Sequence, residues 1–111
     1  MTNKVFDLIK GLGEREFNAK ETMQLLASSG PIYWSWGVSS RSSIDSKALV
    51  LKVNGNHHKG YVVITLAWND TYTVNIITTH GNILDTYTEV YFDMLAEIID
   101  NRIERTANYI Q

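Results

Sequence analysis

The chain has no cysteine and a single proline among its 111 residues. Without thiols there are no disulfide scaffolds, zinc fingers, thiol nucleophiles or iron–sulfur clusters, and the composition suits a reducing compartment. With only seven glycines, it is neither low-complexity nor repeat-like. Long hydrophobic runs are missing too. The most apolar segment, Tyr61 to Trp68, falls far short of the ~20 residues needed to span a bilayer. Lys4, Asp7 and Lys10 interrupt Met1 to Gly13, so no signal-peptide core is read there. The expectation is a cytoplasmic protein without a membrane partner.

What is present is globular: 44% of residues are hydrophobic and 20% charged. The length suits one domain over residues 1–111, and a chain of this size buries roughly two-thirds of its unfolded surface without help from a metal. The net charge of −2 is uneven, +3 over residues 1–60 and −5 over residues 61–111. Neither half concentrates positive charge as a nucleic-acid surface does, so no direct nucleic-acid binding is expected.

Val5, Leu8, Ile9 and Leu12 recur at helical spacing after a cap at Thr2 or Asn3. Asn18, with Glu21 three residues later, starts a second helix that Ser28-Ser29-Gly30-Pro31 ends. Ile32 to Val38 reads as an aromatic strand and the polar Ser39 to Ser46 as a loop. Strands follow at Ala48–Val53, Tyr61–Trp68 and Tyr72–Thr79, with a short one at Ile83–Thr88. Face matching favours a three-residue turn that sets Trp68 opposite Tyr72 and Leu66 opposite Val74, with Val62, Ile64, Leu66, Trp68, Tyr72, Val74 and Ile76 facing the core. From Glu89 to about Arg105 the pattern is helical. The whole reads as an α+β domain: N-terminal helices, a central antiparallel β-sheet of four to five strands, and a C-terminal amphipathic helix packed on one face. Its α-β-β-β-α order is similar to double-stranded RNA-binding domains in outline only. Glu89 and Asp93 stand where those domains begin their last helix with lysines, and the sequence is assigned to no family.

Three sets of residues are candidates for a site. On a helical wheel Glu89, Asp93, Glu97, Asp100 and Glu104 fall within an arc of about 80°, an acidic stripe opposite a broad apolar face. Like charges at this spacing repel by roughly 0.2–0.5 kcal/mol a pair. The stripe is either a solvated outer face or a docking face for a basic partner. Trp34 and Trp36, on one face of the expected strand, and Arg41 in the following loop form an aromatic and cationic group suited to an interface or a small ligand. His57, His58 and His80 gather at one end of the sheet as weak metal candidates that lack any fixed ligand spacing.

Catalytic motifs are missing: there is no GxGxxG, P-loop, GxSxG or HExxH. No cofactor is expected. The leading expectation is a small non-catalytic protein-binding or accessory protein, as a monomer or homo-oligomer. The alternatives are an acidic inhibitor of phage or mobile-element type that mimics nucleic acid, and a small-ligand binder with an aromatic pocket.

Overall fold

The computed structural model describes residues 2–104. Its elements run α1 (Asn3–Leu12), α2 (Ala19–Ala27), α3 (Pro31–Trp34), β1 (Ser40–Ile44), β2 (Ala48–Asn54), β3 (Lys59–Leu66), β4 (Tyr72–Ile77), β5 (Ile83–Val90) and α4 (Leu95–Ile103). The five strands form one antiparallel sheet in the order β1-β2-β3-β4-β5. This is the α+β arrangement expected, with N-terminal helices, a meander and a C-terminal helix.

The sheet is covered on both faces. Leu49, Leu51, Val53, Val62, Ile64, Val74 and Ile76 pack against Leu26 of α2, Tyr33 and Trp36, and Leu95, Ile99 and Ile103 of α4. Ala48, Val50, Tyr61, Val63 and Ile77 pack on the other side against Val5 and Ile9 of α1. Strands buried on both faces need continuous rather than alternating apolar sequence, which Ala48-Leu49-Val50-Leu51 and Tyr61-Val62-Val63-Ile64 supply. Each fully buried aliphatic side chain contributes roughly 1.5–3 kcal/mol, so the two central strands hold much of the stability.

Both helix caps are local and form as the sequence indicates. Thr2 Oγ1 accepts from the Val5 amide at 3.3 Å and Asn18 Oδ1 from the Glu21 amide at 3.1 Å. Between the two helices residues 13–18 wrap around one end of the sheet. There the Phe17 amide bonds Ser46 O at 2.9 Å, and Arg15 pairs with Asp70 of the β3–β4 turn. This strap carries the chain from one face of the sheet to the other.

Three expectations about the secondary-structure elements are corrected. Ile32 to Val38 is not a strand. Pro31 occupies the first position of α3, where its fixed φ and missing N–H suit a helix start, and Tyr33 and Trp36, three residues apart, are buried together. Ser39 to Ser46 is not a loop, since Ser40–Ile44 forms the edge strand β1. Its side chains are exposed except for Ile44, so no apolar alternation marked it. Third, Glu89 to Arg105 is not one helix. Val90 pairs with Tyr72 at the end of β5, Glu89 sits at a register shift with φ 55°, and α4 begins only at Leu95; Arg105 lies outside the described residues.

The β3–β4 pairing sets Leu66 opposite Tyr72, Ile64 opposite Val74 and Val62 opposite Ile76. This is two residues away from the expected register, so every side chain keeps its face while Ala67 to Thr71 leave the ladder. The longer turn is closed by its own bonds: Asn69 Oδ1 accepts from the Thr71 amide and hydroxyl at 3.2 and 2.7 Å, and the Ala67 amide bonds Thr71 O at 2.8 Å. Trp68, expected in the core, is carried to the apex and is 74% exposed.

The β1–β2 hairpin turns through Asp45 and Ser46, both left-handed at φ 53° and 54°, with the Lys47 amide bonded to Ile44 O at 2.9 Å. Such a turn favours glycine at its second central position. Ser46→Gly is therefore expected to stabilise the fold by about 1 kcal/mol in urea denaturation; an unchanged or lower midpoint contradicts the left-handed turn.

Candidate functional site

The aromatic group is built on α3. Gly30 enters it at φ 65°, and the Ser35 amide and hydroxyl close its end on Pro31 O and Ile32 O at 3.1 and 2.6 Å. One helical turn sends Tyr33 and Trp36 inward and Trp34 outward, where it is 72% exposed. The two tryptophans therefore do not share a face. Trp36 is wholly buried, and its Nε1–H donates to Asp100 Oδ1 at 3.0 Å. The three rings form an edge-to-face series, Trp36 to Tyr33 at 5.5 Å and Tyr33 to Trp34 at 5.2 Å.

Beyond Trp36 the chain reverses at Gly37, whose φ is 62° and whose position approaches Asn54 O so closely that an added Cβ would lie 2.9 Å from it. That reversal lays β1 beside α3 and leaves a cleft of about 200 Å³ between them, lined by Tyr33, Trp34, Val38, Ser39, Ser40 and Arg41. Arg41 pairs with Leu51 on the α3 side of the sheet, and its Nη1 donates to the Tyr33 hydroxyl at 3.4 Å. Of the aromatic and cationic group read from sequence, Trp34 and Arg41 come together at the surface. Trp36 lies beneath them as core.

The acidic residues do not form a stripe, because α4 holds only two of them. Glu89 is exposed one residue before the end of β5, Asp93 lies exposed in the link to α4, and Glu97 is exposed on the first helical turn. Asp100 is 2% exposed. It borders the face of Leu95, Ile99 and Ile103, near enough to take the Trp36 indole. Glu104 is turned to the β2–β3 hairpin, where Oε2 accepts from the Asn56 amide at 2.9 Å and its carbonyl from Asn56 Nδ2 at 3.1 Å. An added Cβ at Gly55 would lie 2.4 Å from Ile103 O; only glycine permits this seating of the helix end.

His57 and His80 are exposed at the far end of the sheet, whereas His58 is buried, with Nε2 3.3 Å from Tyr61 O. Among the described residues no group of three or more histidine, aspartate or glutamate side chains is placed to hold a metal ion. Burial, the largest influence, pushes the His58 pKa below the ordinary 6.5, and Arg102 acts in the same direction, against backbone hydrogen bonds at Tyr61 and Ile77. With the folded pKa below the unfolded one, the unfolded chain binds more protons between the two values. The His58 contribution is thus complete above pH 6.5 and lost as pH falls through the lowered folded value. Melts across this range should show Tm declining from about pH 6.5, above the carboxylate range, and His58→Gln should remove that early decline. An unaltered profile in the variant contradicts the assignment.

One surface escaped the sequence reading. Pairing of Tyr72 with Val90 sets the β3–β4 turn beside the link from β5 to α4. Trp68, Tyr91, Phe92 and Met94 are all exposed at this end, Phe92 by 66%. The Arg15 guanidinium lies 5.7 Å over the Trp68 ring while it pairs with Asp70. The broad apolar face read for the expected helix took in Val90, Tyr91 and Phe92 together, which hid the surface. Among known proteins, no family model, no curated protein and no solved structure matches the chain.

Proposed function

We propose that the protein is a small non-catalytic protein-binding domain that docks through the aromatic end of its sheet. The observation that carries this reading is the exposure of Trp68, Tyr91, Phe92 and Met94 on two neighbouring connections. Holding four large apolar side chains in water at one end of the sheet is unfavourable, and exposed apolar patches mark interaction sites. Aromatic residues, methionine and arginine are also the types enriched at interfaces, and Arg15 stands over Trp68.

Glu89 and Asp93, two of the acids read as partner-binding, lie exposed on either side of Tyr91 and Phe92. They suit an acidic rim around an apolar centre, and a partner whose apolar pocket is bordered by lysine or arginine. Nucleic-acid mimicry has less support, since it calls for a row of free carboxylates and Asp100 and Glu104 are engaged within the fold. A cytoplasmic setting agrees with the lack of cysteine. No helix among the described residues is long and apolar enough to cross a membrane.

The test is capture from source lysate with the wild type, Trp68→Ala/Phe92→Ser, and His80→Ala as a control at the far end of the sheet. A protein bound by the wild type and the control should lose at least about tenfold in affinity to the double variant. Its binding should also weaken with salt, less steeply after Glu89→Lys/Asp93→Lys. Association of the wild type with itself, abolished by the same double variant in sedimentation, would identify the partner as a second copy. Equal capture by the double variant contradicts the reading.

A further inference from the structure

The cleft between α3 and β1 has a composition that the aromatic end does not explain. Its outer wall is the Trp34 ring, left in water by a turn that buries its neighbours Tyr33 and Trp36. Its cation is Arg41. A guanidinium has five N–H donors in a planar fork. Among the described residues the Tyr33 hydroxyl takes one of them, and no carboxylate pairs with Arg41. Two serines, Ser39 and Ser40, line the same cleft and supply hydroxyls that donate or accept.

Tyr33 sets the spacing. Its ring stands 5.2 Å from Trp34 at 73°, and its hydroxyl is 3.4 Å from Arg41 Nη1. The apolar platform and the cation therefore flank a single phenol ring. That spacing fits a ligand whose flat ring and anionic group are joined by a short link: the ring lies on Trp34 and the carboxylate meets the fork. Size narrows the class. Pockets for drug-sized ligands run to roughly 300–1,000 Å³, and about 200 Å³ suits one or two fused rings with an acid arm rather than a whole nucleotide. Rigidity favours the site as well, since Tyr33 is held by Trp36 and Trp36 by Asp100. Little ordering is left to be done when a ligand arrives.

We infer that this cleft is a binding site for a small aromatic carboxylate, with Trp34 as the stacking surface and Arg41 as the carboxylate clamp. The acid is either a free small molecule or the terminal aromatic residue of a peptide chain, which the neighbouring edge strand β1 would extend. The site is independent of the proposed docking surface, because Trp34 and Arg41 lie away from the turn that carries Trp68.

Titration of the full chain with indole-3-acetate, followed in 1H–15N spectra, tests it. The Trp34 indole and Arg41 Nε signals should shift and saturate while Trp68 stays in place. Indole-3-acetamide, lacking the charge, should bind at least about tenfold more weakly, as should indole-3-acetate to Arg41→Gln or Trp34→Ala. Both substitutions are at exposed positions, and unchanged signals elsewhere in the spectrum verify the fold. A peptide ending in a free tryptophan that binds more tightly, and also shifts the Ser40 to Ser43 amides, identifies a chain terminus as the source. Equal or tighter binding of the free acid identifies a small molecule. Shifts that do not saturate, equal binding of acid and amide, or full binding by Arg41→Gln overturn the proposal.

Discussion

The hydrogen bond from the Trp36 indole to Asp100 is the constraint around which the other features arrange themselves. A carboxylate in a protein interior loses several kcal/mol of hydration, and it is retained there only where donors replace water. Trp36 is such a donor. It lies 64 residues from Asp100 in sequence, so the bond ties the turn after α3 to the middle of α4 across the helical face of the sheet. With Trp36 in place, Tyr33 is held edge-on against it, and the geometry of one helical turn leaves Trp34 in solvent. At its other end α4 is seated by Gly55, Asn56 and Glu104. The helix is thus held at its middle and at its C-terminus by two different parts of the chain.

The two surfaces that follow sit at opposite ends of the molecule. The β1–β2 and β3–β4 turns, the strap at residues 13–18 and the link before α4 share one end of the sheet, which carries Trp68, Tyr91 and Phe92. The cleft opens beside the start of β1, where Ser40 pairs with Lys52 near the far end of β2. A partner docked on the aromatic end would leave the cleft open, so ligand and partner can act on one domain together. Any coupling between them would run through the sheet and α4.

Local features were the legible ones. Thr2 and Asn18 announce helix starts through side chains that bond amides three residues on, a relation that needs no tertiary contact. The apolar runs of β2 and β3 declare buried strands, and face matching placed Val62, Ile64, Val74 and Ile76 together although the register was displaced by two residues. What stayed hidden depends on contacts distant in sequence. Ile32 to Val38 has β-forming residues, and only the buried side of α3 decides otherwise. Ser40–Ile44 is a strand because β2 offers it an edge, which its own serines do not reveal. Asp100 looked like one acid among five on a helical wheel, and its partner lies 64 residues earlier. Trp34 and Arg41, grouped from the sequence, line one cleft, but through a helical turn and an edge strand instead of a strand and a loop, while Trp36 went to the core.

Hydrogen exchange at the three indole N–H groups tests the central interaction most directly. The Trp34 and Trp68 indoles are exposed and should exchange at close to free rates, whereas the Trp36 indole, buried and bonded to Asp100, should exchange only on global unfolding. Asp100→Ala should speed Trp36 exchange and broaden the Tyr33 ring signals while leaving Trp68 unaffected. Exchange of Trp36 as fast as that of the other two indoles in the wild type would contradict the account.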